Sequence, residues 1–199
     1  IGPEASKPVM EGKAVLFKVF ADIDVFDIEL DVTDVEHFIS TVKAIAPTFG
    51  GINLEDIKAP EAFEIERRLK EELDIPVMHD DQHGTAIISS AALLNALELT
   101  EKRIEEVRVV VSGAGAAAMS CLDLYIQLGL TLKNIAVFDS KGHVHAGREG
   151  LGESKQRFAT EKSYESLADA MKGADIFLGL SKGGLVSGGM IKEMASDPI

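Results

Sequence analysis

The sequence has no tryptophan, only two tyrosines and a single cysteine in 199 residues. One thiol, Cys121, excludes an internal disulfide and fits a reducing compartment, and its small, apolar neighbours suggest a packed thiol rather than a nucleophile. Basic side chains are also scarce: 20 Lys and Arg face 33 Asp and Glu, a formal charge of −13. No Lys/Arg cluster exists to grip a phosphate backbone, which argues against nucleic acid as a partner. No apolar run approaches the roughly 20 residues that span a bilayer, and no charged stretch followed by a hydrophobic core opens the chain. The expectation is a cytoplasmic protein with no membrane partner. An initiator Met is absent too: Ile1-Gly2-Pro3-Glu4 and Ser196-Asp197-Pro198-Ile199 read as though a longer chain were entered and left midway.

What is present is an ordinary globular composition, 46% hydrophobic, enough for one sizeable core or two small ones. Periodicity switches repeatedly between strand-like and helix-like, as in an α/β protein with a mostly parallel sheet. Residues 10–20 fit either pattern and are assigned to a helix started by Pro8. Val25 to Val32 alternates acidic and apolar residues and predicts a strand with one wet face. Thr33 or Asp34 can cap a helix that Pro47 ends. Phe49 to Leu54 delivers Glu55 and Asp56 to a strand end. Ala62, Ile65, Leu69 and Leu73 recur at helical spacing, and that helix reads as structural. Residues 75–78 predict a brief strand ending in His79-Asp80-Asp81-Gln82-His83-Gly84-Thr85, with an apolar helix over 85–99. A βαβ unit follows: strand 107–112, glycine turn, helix 116–128 and strand 135–138 ending in Asp139. Beyond it, 164–171 and 190–194 predict helices, 175–180 a strand and 183–189 a loop. The fold class is α/β, a Rossmann-type doubly wound parallel sheet plus part of a smaller α/β domain, divided as 1–100 and 101–199.

Two features suggest chemistry. The turn Gly113-Ala114-Gly115-Ala116-Ala117-Ala118 has the G-x-G-x-x-A pattern: one glycine for the turn, one for pyrophosphate to approach a helix N-terminus, and a small residue for close helix–strand packing. A plain glycine turn is the alternative, but the flanking strand and helix favour dinucleotide binding. Asp139 stands where an acid can hold a ribose hydroxyl or can simply be a solvated strand end. The adjacent Ser140-Lys141 leaves NAD and NADP both open, since a lysine could favour a 2′-phosphate. The second feature is Glu55, Asp56 and Asp81, carboxylates at two strand ends. They can converge at a sheet edge as oxygen ligands for Mg²⁺ or Mn²⁺, or be an acidic loop in an acidic chain. His79 and His83 lack the glutamate and third ligand of a zinc helix. His143 and His145 lie in a polar loop with no evident partner. Lys13, among apolar residues, is a snorkelling surface group or, beside a metal in a dry cleft, a general base with a lowered pKa.

Together Val9-Met10-Glu11-Gly12-Lys13, Gly50-Gly51-Ile52-Asn53-Leu54-Glu55-Asp56-Ile57, His79-Asp80-Asp81-Gln82-His83-Gly84-Thr85-Ala86 and Ser112-Gly113-Ala114-Gly115-Ala116-Ala117 closely resemble the bacterial malic enzymes, in one order over essentially the whole chain. The resemblance implies that residues 1–100 are the substrate and metal domain and 101–199 the NAD(P)-binding domain, both incomplete. It further implies that Glu55, Asp56 and Asp81 are ligands of Mg²⁺ or Mn²⁺, Lys13 the catalytic lysine, Asp80 the acid assisting it, and Ala114 to Ala117 the dinucleotide contact. The implied reaction is oxidative decarboxylation of L-malate to pyruvate and CO₂ with reduction of NAD or NADP, in a homodimer or larger homo-oligomer.

The chain departs from that family in lacking the tyrosine acid, which precedes residue 1 there; Tyr125 and Tyr164 stand in other contexts. The substrate-gripping arginine and the later asparagine-bearing segments are missing, and Ser181-Lys182-Gly183-Gly184 replaces the family's Ser-Ala-Pro-Gly. The competing readings are a non-catalytic dinucleotide- or metal-binding module and another Rossmann oxidoreductase with an accidental acidic cluster.

Overall fold

The computed structural model describes residues 2–58 and 60–199, which fall into two compact units, Ile1–His79 and Asp80–Ile199. In the first, α1 (Pro3–Ala21) begins five residues before the expected start, with Pro3 in its first turn and Pro8 inside it. Proline is tolerated at the first helical position because that N–H has no intrahelical partner. Residues 22–34 form neither helix nor strand, which corrects the strand predicted for Val25 to Val32. Alternation supplies a strand's two faces but not a partner for its backbone, and among the described residues no strand pairs with this segment. It is tied to α1 by the Lys7 ammonium, which meets Asp27 and lies 3.6 Å from Glu29.

Asp34 caps α2 (Val35–Ile45) by accepting the His37 N–H at 2.8 Å, and a 3₁₀ turn holding Pro47 closes the helix. The parallel strands β1 (Ile52–Leu54) and β2 (Val77–His79) flank α3 (Glu61–Glu72) in sequence, with Leu54 opposite His79. Ile39, Val42, Leu54, Ile65, Leu69 and Val77 close this unit's core.

The second unit begins with α4 (Asp80–Leu99), which starts five residues before the expected Thr85 and takes in the His79 string after its first residue. α4 packs along α5 (Ala116–Gln127), and its Ala86, Leu93 and Leu97 lie in the same core as the sheet. The division between units therefore falls at residue 79, where the sequence reading drew it at 100. The sheet runs β5 (Gly142–His143), β4 (Ile135–Asp139), β3 (Val109–Ser112), β6 (Ile176–Gly179), parallel except for β5. Alternation decides its two faces. Val109, Val111, Ile135, Val137 and Ile176 turn toward α4 and α5. Val110, Ala136 and Phe138 turn the other way, onto Ala170 and Met171 of α7 (Leu167–Met171) and, beyond, Met190 of α8 (Gly188–Lys192). Layers on both faces make this the expected doubly wound Rossmann-type sheet. The short α6 (Glu153–Gln156) completes the elements.

Two smaller expectations change. The helix at 164–171 begins only at Leu167, capped by Ser166. His143 is buried in β5 rather than lying in a polar loop.

Candidate functional site

In the first unit, α1 carries Lys13 and the end of β1 carries Glu55. They meet as an ion pair, Lys13 Nζ lying 2.7 Å from Glu55 Oε2, with side chains 26% and 10% exposed. Asp56 follows with φ 59°, a left-handed turn that aspartate tolerates better than most residues. All three line a cleft of about 890 Å³ whose apolar wall includes Met10, Phe17 and Phe38. A lysine whose ammonium is drawn onto a mostly buried carboxylate in a cleft is not the snorkelling surface group that its neighbours alone permit.

α3 adds a residue that sequence reasoning missed. Glu66 is buried, its Oε1 accepts the His79 backbone N–H at 2.9 Å, and Lys70 Nζ lies 2.9 Å away. It fixes the last residue of β2, immediately before the acidic pair. The signal was legible: Glu66 falls on the stripe of Ala62, Ile65 and Leu69, where a charge needs a partner.

Asp80 and Asp81 are the first two residues of α4, where the helix macrodipole favours negative charge. Asp80 is half-buried and Asp81 exposed. Among the described residues no three or more His, Cys, Asp or Glu side chains cluster to hold a metal ion. Glu55 and Asp56 belong to the first unit and Asp81 to the second. Their oxygen donors suit a hard divalent cation, and Glu55 already faces a cationic group.

The glycine turn lies in the second unit between β3 and α5. Gly113 has φ +117°, and a Cβ there would sit 2.7 Å from the Leu180 carbonyl carbon, so no other residue fits. Gly115 is the N-cap of α5 and has open space where its Cβ would be. The first N–H groups of a 12-residue helix are thereby left to an approaching anion. Ala114, Ala116 and Ala117 are half-buried around the turn, and Ala118 is buried in the core, allowing close packing.

Asp139, at the end of β4, is not a solvated strand end. Its Oδ2 accepts from Lys155 at 2.7 Å and Arg148 at 2.9 Å, and its Oδ1 accepts the Lys141 N–H at 2.9 Å. Burial alone would raise its pKa; Lys155, the Lys141 N–H and Arg148 outweigh that and hold the carboxyl below its ordinary value. Sequence gave no sign of this, since Arg148 and Lys155 reach Asp139 only through the loop after β5.

Cys121 and the two tyrosines have structural positions. Burial pushes the Cys121 thiol up, and Ser89 Oγ lies 3.4 Å from it. Tyr125 is buried in the core, and the Tyr164 hydroxyl accepts from Arg108.

Residues 1–70 match the profile of the malic enzyme N-terminal domain, and residues 82–198 that of the malic enzyme NAD binding domain. The chain belongs to the malic enzyme family. It is 58% identical, over its whole length, to an NAD-dependent malic enzyme of Rhizobium meliloti, of which it covers 26%. It is 53% identical to an NADP-dependent malic enzyme of Halomonas elongata, of which it covers 47%. The crystal structure of the NAD-dependent malic enzyme from Thermotoga maritima superimposes with a TM-score of 0.92 at 49% identity, over the whole of this chain and 54% of that one. The chain thus spans from about a quarter to about half of these malic enzymes. Both nucleotide types occur among them, and no helix among the described residues is long and apolar enough to cross a membrane.

Proposed function

We propose that the protein carrying this chain catalyses the oxidative decarboxylation of L-malate to pyruvate and CO₂ with reduction of NAD or NADP. The observation that carries the reading is the Lys13–Glu55 pair in an acidic cleft of a malic enzyme domain. In this reading Lys13 accepts the C2 hydroxyl proton as hydride leaves C2 for the nicotinamide. The C3–carboxylate bond then breaks, CO₂ departs with one carbon of malate, and its electron pair remains as the enolate of pyruvate. Protonation at C3 completes the balance. Asp80 assists Lys13 in holding and releasing the proton.

Glu55, Asp56 and Asp81 are the residues that would hold Mg²⁺ or Mn²⁺, which when bound polarises the C2 oxygen and stabilises the enolate. Gly113 to Ala117 receive the dinucleotide pyrophosphate on the N-terminus of α5, and Asp139 is the acid for the ribose hydroxyl, with Lys155 and Arg148 paired to it. The substrate domain then corresponds to the unit ending at His79 and the nucleotide domain to the unit that begins at Asp80. The setting is the cytoplasm, with a homodimer or larger homo-oligomer as the working form.

The test is malate-dependent reduction of NAD⁺ and NADP⁺ by the full-length protein with Mn²⁺. Absence of metal-dependent turnover with both nucleotides would overturn the reading. Isothermal titration of Mn²⁺ supplies a readout apart from turnover: Asp81→Asn weakens the metal and leaves dinucleotide affinity unchanged.

A further inference from the structure

Gly84 stands in the interior of the 20-residue helix α4, one turn after Asp80. Glycine there costs about 0.5–1 kcal/mol against alanine, so its place needs a reason. Helical Cα–Cβ bonds tilt toward the N-terminus, and a side chain covers the turn before its own Cα. At position 84 that space is already taken. A Cβ would lie 3.0 Å from Asp80 Cγ and 3.6 Å from Oδ2, and would overlap Oδ1 outright. The three nearest atoms to it all belong to this carboxylate.

We propose that Gly84 is a positioning residue for the reaction. Its missing side chain is what lets the Asp80 carboxylate lie back over the first turn of α4. The inference rests on the role proposed above for Asp80. Any larger residue at 84 competes with the carboxylate for one volume. Because the carboxylate ends a short rotatable side chain, it is the carboxylate that turns away and not the helix that breaks. The same change improves helix propensity. Gly84→Ala therefore separates folding from turnover.

The experiment is a double-mutant cycle in the full-length protein with Asp80→Ala, Gly84→Ala and the pair, reading kcat, KM for malate, nucleotide affinity and Tm. Gly84→Ala is expected to lower kcat about 10²-fold, the cost of a misplacement on the order of 1 Å. KM and nucleotide affinity stay within about threefold, and Tm is unchanged or raised. Added to Asp80→Ala, it lowers kcat no further, because no carboxylate remains to displace. If Gly84→Ala lowers Tm, the double variant regains it, since the collision is gone. A Gly84→Ala enzyme turning over normally beside an impaired Asp80→Ala enzyme overturns the positioning role alone. Losses that multiply in the pair also overturn it. Normal turnover of Asp80→Ala removes the role of Asp80 and the inference with it.

Discussion

His143 contributes a loss of stability on the acid side whose size follows from its surroundings. Its ring is buried against Phe138 at 5.0 Å, stacked on His145 at 5.7 Å and met edge-on by Tyr164 at 5.1 Å. Nδ1 accepts the Tyr164 N–H at 3.4 Å, and the Arg148 guanidinium donates to the His143 carbonyl oxygen at 3.1 Å. Burial, then the positive charges of His145 and Arg148, push the imidazole down to about 4. As pH falls below about 6.5 the unfolded chain takes up a proton that the folded state refuses until about pH 4. The stability from a neutral His143 is therefore complete above pH 6.5 and lost between 6.5 and 4. At about 1.36 kcal/mol per tenfold change in proton affinity, the loss approaches roughly 3 kcal/mol. His143→Gln keeps an acceptor for the Tyr164 N–H and cannot titrate. Urea unfolding followed by circular dichroism at pH 7 and pH 4 measures the difference between wild type and variant, which should move by roughly 3 kcal/mol in the variant's favour at the lower pH. A difference that stays constant, or an imidazole resonance titrating near 6.5, would refute the argument.

Further outcomes follow from the two sites. Lys13→Ala removes the proposed base and should lower kcat by at least about 10²-fold with nucleotide affinity intact, by steady-state kinetics and equilibrium titration; near-normal turnover dismisses the role. Gly113→Ala forces a Cβ into the Leu180 backbone at a positive φ, and should cost at least about 2 kcal/mol, seen as a lowered Tm, and weaken the nucleotide. An unchanged Tm would show that the turn can open.

Local chemistry was readable from the chain. Asp34 and Pro47 bound α2, the run Val109-Val110-Val111 before Gly113 announced a buried parallel strand and its turn, and Ala62, Ile65 and Leu69 marked the buried stripe of α3. Caps, glycine conformations and hydrophobic periods are fixed by residues a few positions apart, so a sequence contains them whole. The carboxylates at strand ends and the Gly113 turn were legible for the same reason.

Where the answer depends on which distant segment arrives as neighbour, sequence was silent. Val25 to Val32 has a strand's alternation but no strand to pair with among the described residues, and α4 joins the second unit because its apolar residues meet α5 and the sheet. Asp139 read as a ribose-holding acid or a solvated strand end, with no sign of the Arg148 and Lys155 that pair with it, and Lys13 as a surface group or a base, with no sign of its ion pair to Glu55, 42 positions on. Periodicity says which side of an element is apolar; only the packed chain says what that side, or a charge beside it, will meet.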